Sequence, residues 1–285
     1  KRFLGIEIAE QRNADPESDL TIALDALSKH ANVAPFISKQ LIQRLVTANP
    51  SPAYIKRVAT VFNTTDGDLK QVIKAILLDT QARDIDAALA SMTFGKVREP
   101  ILRMSALLRG FEAQSATGYF LMRPTFEPGF GLAQSPMRSP TVFNFFRPGF
   151  VAAGSHMARQ GLVNPEMQLV SDVSAAGYVT YMRHTLEFGT GWNGFDRATG
   201  PVDIQFPFNL QDDHPLLVIS DQTAQLIELI DQRLMYGHMP TELRTVINNA
   251  IGSFDKMVNR TAQRRLRVRT ALLLTMSSPE FLVQK

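Results

Sequence analysis

NVAPFISKQLIQRLVTANPSPAYIKRVATVF, residues 32–62, holds two amphipathic helices and the punctuation between them. Ile37, Leu41, Ile42 and Leu45 fall on one helical stripe, and Lys39, Gln40, Gln43 and Arg44 are expected to face away from it. Asn32 stands where a cap is needed, and Pro35 is tolerated in a first turn. Asn49-Pro50 stops this helix, because a residue before proline is pushed out of the α region. Ser51-Pro52 then restarts the chain as cap and first helical position, with Tyr54, Ile55, Val58, Ala59 and Phe62 on the next apolar face.

The same grammar extends in both directions. Residues 20–30 read as a short helix with Leu20, Ala23, Leu24 and Leu27 on one face. After a turn at 63–67, Asp68 and Gln71 have capping-box spacing ahead of Leu69, Val72, Ile73, Ile76 and Leu77. Residues 100–111 carry Ile101, Met104, Leu107, Leu108 and Phe111 in register. Farther on, helices are expected at about 165–184, at 221–237 with Ser220 or Asp221 as the cap, at 240–251 and at 256–276. A short echo links residues 75–79, AILLD, with 271–275, ALLLT. Only 201–208 suggests a strand.

The expected fold is mainly α: an irregular layered helical domain with two long ordered loops, 112–161 and 188–215, and little or no sheet. Residues 1–285 form one helical domain, or the carboxy-terminal part of a larger one. It comprises a first helical group at 1–111, an insertion rich in aromatics, proline and glycine at 112–161, and a second helical group at 162–285. The insertion contains RSPTVFNFFRPGF, residues 138–150, with Phe143, Phe145, Phe146 and Phe150. Aromatics at that density bury large surfaces when they fold, so this run is expected to be gripped between helices.

A chain 45% hydrophobic and 20% charged belongs with ordered proteins that have a core, not with disordered ones. A net charge of +3 spread over 285 residues does not make the concentrated basic face of a nucleic-acid binder. The absence of cysteine excludes disulfides, thiolate metal sites and a cysteine nucleophile from these residues. No apolar run approaches the roughly 20 residues that a membrane-spanning helix needs.

Several blocks together resemble one bacterial family, the domain of unknown function 1800 family. They are HANVAPFI from His30, QLIQRLVTANPSPAYIKRVATVF at 40–62, FGKVREPILR at 94–103, the aromatic run, and SSPEFLVQK at the end. Ala31 and Thr80 stand where the family commonly has proline. The resemblance implies the carboxy-terminal portion of a longer exported protein, periplasmic or extracellular. It also implies gene neighbours of a second exported family that is similar to sulfatases and alkaline phosphatases. The family brings no established activity, so it assigns no catalytic residue.

The residues themselves offer few candidates for chemistry. Arg138, Asn144 and Arg147 could clamp an oxyanion, since a guanidinium fork matches one in a bidentate way; the competing reading is that these arginines cap carbonyls or stack on phenylalanine. His30, at a helix end, and His214, after Asp212 and Asp213, are candidates for proton transfer, against plain capping or loop roles. No histidine pair has metal-ligand spacing and no cofactor is expected. A loop-bound divalent cation held by Asp196, Asp203, Asp212 and Asp213 stays open, without EF-hand spacing. Arg260, Arg264, Arg265, Arg267 and Arg269 make the last long helix basic, which reads as a solvated face paired with nearby acids or as a surface for an acidic partner or lipid headgroups.

With no GxSxG elbow and no phosphate loop, the leading expectation is a scaffold or accessory protein of the cell envelope, acting with a protein partner. The alternatives are an envelope hydrolase acting on an anionic polymer or ester, and a filament or matrix subunit made of copies of this chain.

Overall fold

The computed structural model describes residues 1–10, 13, 15–122, 124–191 and 202–285. The body is α-helical, and the strands are two-residue pieces in antiparallel pairs. The chain divides into two compact units, Lys1–Lys96 with Lys285, and Val97–Gln284.

In the first unit, α1 (Pro16–Ser28) starts at an Asp15 cap, whose carboxylate accepts the Ser18 N–H at 3.0 Å. Its apolar face stays open, with Leu20, Leu24 and Leu27 all exposed. Helices α2 (Val33–Leu45), α3 (Pro52–Thr64) and α4 (Leu69–Leu78) pack on one another around Ile42, Tyr54, Val58, Val72 and Ile76. Ser51 and Asp68 are side-chain caps, Ser51 Oγ accepting from Tyr54 N and Asp68 from Lys70 and Gln71. Short helices α5 (Thr80–Arg83) and α6 (Ile85–Ala90) follow.

Three details of the first unit differ from expectation. Asn32 occupies the cap position of α2 without a side-chain bond. The buried line of α2 runs through the small residues Ala34 and Ser38 to Ile42, leaving Leu45 exposed. Gln43 turns inward instead of outward, because the chain leaves the helix after Leu45 and the Ala48 carbonyl needs a donor, which Gln43 Nε2 supplies at 2.9 Å.

The second unit contains α7 (Pro100–Gly110), α8 (His156–Arg159), α9 (Asp172–Phe188), α10 (Pro207–Leu210), α11 (Pro215–Ile219), α12 (Thr223–Ile230), α13 (Thr241–Gly252), α14 (Arg260–Ser277) and α15 (Pro279–Leu282). Its core includes Met104, Leu107, Met182, Phe206, Ile247 and Leu272. The helix expected from 165 is two elements, a 3₁₀ turn at Pro165–Leu169 and then α9, because Ser171 and Ser174 form a capping box that restarts the chain. Gln222, not Ser220 or Asp221, precedes α12, since α11 already occupies the residues before it. Helix α12 widens into a π turn, Asp231–Met235, that ends in the left-handed Tyr236 and Gly237. The Asp231 carboxylate is buried there, paired with Arg244 and accepting the Met239 N–H at 2.9 Å.

The echo at 75–79 and 271–275 belongs to a larger recurrence. In one unit α2, α3 and α4 pack pairwise and α4 leads into the four-residue α5; in the other, α12, α13 and α14 pack pairwise and α14 leads into the four-residue α15. Asp79 (φ −62°, ψ 144°) and Ser278 (φ −76°, ψ 145°) stand at the two joints, each extended and each capping the short helix with its side chain.

Candidate functional site

The insertion at 112–161 is tied to the second unit at a few points. Gln114 pairs with Gln205 and Ser115 with Ile204 in a two-residue antiparallel ladder, the short strand expected within 201–208. The carboxylate of Asp203, 1% exposed, accepts the Thr117 and Leu121 N–H groups at 2.9 and 2.7 Å and the Ser115 hydroxyl at 3.0 Å. Burial pushes the Asp203 pKa up, but the Leu121 and Thr117 N–H groups and the two hydroxyls outweigh it and hold the pKa below the usual carboxylate range. Farther along, Leu132 N–H returns to the Thr125 carbonyl at 2.8 Å. The Pro128–Gly129 backbone lies so close to α9 that a Cβ on Gly177 would come within 1.9 Å of the Pro128 oxygen.

Between and beyond these ties several large apolar side chains point outward. Tyr119, Phe120, Phe126, Phe130, Met137, Val142 and Phe143 are all exposed, Phe143 at 75%. This corrects the expectation that 138–150 is gripped between helices. Of its four phenylalanines only Phe146, 3% exposed, is buried, while Phe145 and Phe150 are half-buried. The reason is local. Thr141 accepts the Phe143 N–H at its hydroxyl and the Asn144 N–H at its carbonyl, a tight turn with Asn144 at φ 72°. Such a turn cannot direct successive rings to one side.

Arg138 stacks on Phe126, 5.7 Å from the ring centroid. Arg147 is exposed, and its backbone N–H is held by Gln168 Oε1 at 2.9 Å. Among the described residues no hydrogen bond or ion pair joins Arg138, Asn144 and Arg147 to one another. His30 Nδ1 accepts the Asn32 N–H, and His214 Nδ1 accepts the Leu216 N–H, both at 3.2 Å; each ring serves a turn of its own. Asp212 pairs with Arg265 at 2.6 Å, whereas Asp196 and the single tryptophan, Trp192, lie outside the described residues. Among the described residues no group of three His, Asp or Glu stands together as metal ligands, and no helix is long and apolar enough to cross a membrane.

The arginines of α14 are spent on the protein itself. Arg260 and Arg264 both hold Asp221, Arg267 holds Asp255 and the Ser220 carbonyl, and Arg269 reaches Asn209. Two others, Arg98 and Arg103 in the FGKVREPILR block, were passed over by chemical reading of the sequence. Their signal was present: Arg103 lies one position before Met104 and four before Leu107, on the stripe that α7 buries.

No curated protein and no solved structure matches this chain. The family model described as protein of unknown function (DUF1800) matches residues 1–283, and with that extent of agreement the chain belongs to the DUF1800 family.

Proposed function

We propose that this protein is a helical scaffold that presents its aromatic-rich segment to a protein partner at the bacterial cell envelope, in an accessory rather than a catalytic role. The exposed side chains of Tyr119, Phe120, Phe126, Phe130 and Phe143 carry this reading. Large apolar side chains left in water are worth about 25 cal/mol for each Å² that a partner covers, and aromatics dominate binding hot spots. The segment is also fastened at Asp203 and the Gln114–Ser115 ladder, so part of its ordering cost is met before binding. The periplasmic or extracellular setting and the partner class, an exported sulfatase- or phosphatase-like protein encoded nearby, come from the resemblance.

Co-expression of the full-length protein with that neighbour, followed by size exclusion with light scattering, tests the reading. A stoichiometric complex is expected, and it should be lost in the Tyr119→Ser, Phe130→Ser, Phe143→Ser variant while the melting temperature holds. A complex indifferent to those three changes, or no complex at all, overturns it. Concentration-dependent self-association, abolished by the same changes, would replace the heterologous partner with a second copy.

A further inference from the structure

We propose that Arg98 and Arg103 form the floor of a binding site for a tetrahedral oxyanion, a phosphate or sulfate group. A guanidinium keeps its charge at any physiological pH, so its burial calls for a counter-charge. Arg103 is 5% exposed, and among the described residues its guanidinium meets no carboxylate: Nε donates to the Arg98 carbonyl at 2.7 Å, and its other polar neighbour is the Tyr178 hydroxyl. The Tyr178 ring covers its flat face at 4.9 Å, and Tyr178 is itself fixed by donating its hydroxyl to the Met276 carbonyl at 3.1 Å. Arg98 lies over the Phe281 ring at 4.4 Å, and its side chain makes no hydrogen bond among the described residues.

Both cations are therefore stacked on aromatic faces, and neither guanidinium is neutralised by an acid among the described residues. Neither guanidinium comes within 4.0 Å of a carboxylate among the described residues. Glu99, between them in sequence, accepts instead from Gln134 Nε2 at 2.5 Å. Ring stacking offsets only part of the desolvation of a buried cation.

The two charges also oppose each other. Burial first, and the neighbouring Arg98 charge after it, pull the Arg103 pKa below its ordinary value against the pull of Tyr178. Burial lowers that of Arg98 as well. No Nη atom of Arg103 is among the sealed side-chain atoms that lack a partner. Two forks with two positive charges suit a dianion with several oxygens better than a single carboxylate. The proposal does not depend on the partner-binding reading.

The test is thermal melting of the full-length protein, at matched ionic strength, in sodium chloride, inorganic phosphate, inorganic sulfate and glycerol phosphate. Phosphate or sulfate should raise the melting temperature by about 2–4 °C over chloride. That rise should vanish in Arg98→Gln, which removes one fork at a half-buried position and leaves the Arg103 stack in place. Arg103→Lys, which keeps charge but loses the fork, should retain less than half of it. A stronger response to glycerol phosphate assigns the natural ligand to an ester, and a stronger response to the inorganic ions assigns it to the free anion. An equal response to chloride, or a phosphate response intact in Arg98→Gln, overturns the site and leaves the arginines as packing groups.

Discussion

The Arg57 guanidinium grips the Asp79 carboxylate with two parallel hydrogen bonds, Nε to Oδ2 and Nη2 to Oδ1, both 2.7 Å long. Asp79 also caps α5 by accepting the Gln81 N–H at 2.9 Å, so one carboxylate joins α3 to the α4–α5 corner. Asp79→Ala should cost about 1–2 kcal/mol in urea unfolding, chiefly through the cap. Arg57→Ala should cost about 0.2–1 kcal/mol, because its side chain is half in water. A double-mutant cycle separates the terms, and an arginine loss as large as the aspartate loss would make the ion pair, not the cap, the dominant one.

Acid should unfold the protein through a small set of aspartates. The Arg57 hydrogen bond holds the Asp79 pKa down, and the Arg264 and Arg260 pairs hold that of Asp221 down against partial burial. Asp203 is likewise depressed, its N–H donors overcoming burial. A folded pKa below the unfolded value, about 3.9 for aspartate, gives stability that is complete above the unfolded value and lost as pH falls through the folded ones. Unfolding free energy should therefore change little between about pH 7 and 5 on account of these groups and drop steeply below about pH 4. Asp221→Asn should be less stable at neutral pH with a shallower acid slope. The same slope in variant and parent would remove Asp221 from the account.

Alanine normally improves a helix interior over glycine by about 0.5–1 kcal/mol. At Gly177 the sign should reverse, because the Pro128 carbonyl occupies the space a Cβ needs. Gly177→Ala is expected to lower the melting temperature and to speed proteolysis within 112–161, as the backbone at 128–129 is pushed off α9. A variant that melts higher than the parent would mean that this contact is not maintained in solution.

The difference between what was legible and what was not follows from how far each interaction reaches. Ser51 and Asp68 could be placed from sequence because a cap bonds only two or three residues away. The helical class and the 112–161 insertion were legible for the same reason, through spacing and through breakers. Gln43 turning inward, Phe143 left in water and the stacking of Arg103 on Tyr178 were not, since each depends on a partner distant in sequence or on the absence of one.

Taken alone, the sequence determined that this is a cysteine-free, mainly helical member of the DUF1800 family with an aromatic insertion, because periodicity, caps and composition are local properties. Tertiary structure decided which faces close. It opened the rings of Tyr119, Phe120, Phe126, Phe130 and Phe143 to solvent, absorbed α14 arginines into Asp221 and Asp255, and left Arg98 and Arg103 stacked but without a counter-charge among the described residues. Burial and charge balance are settled only when distant segments meet, and no window of the chain contains that meeting.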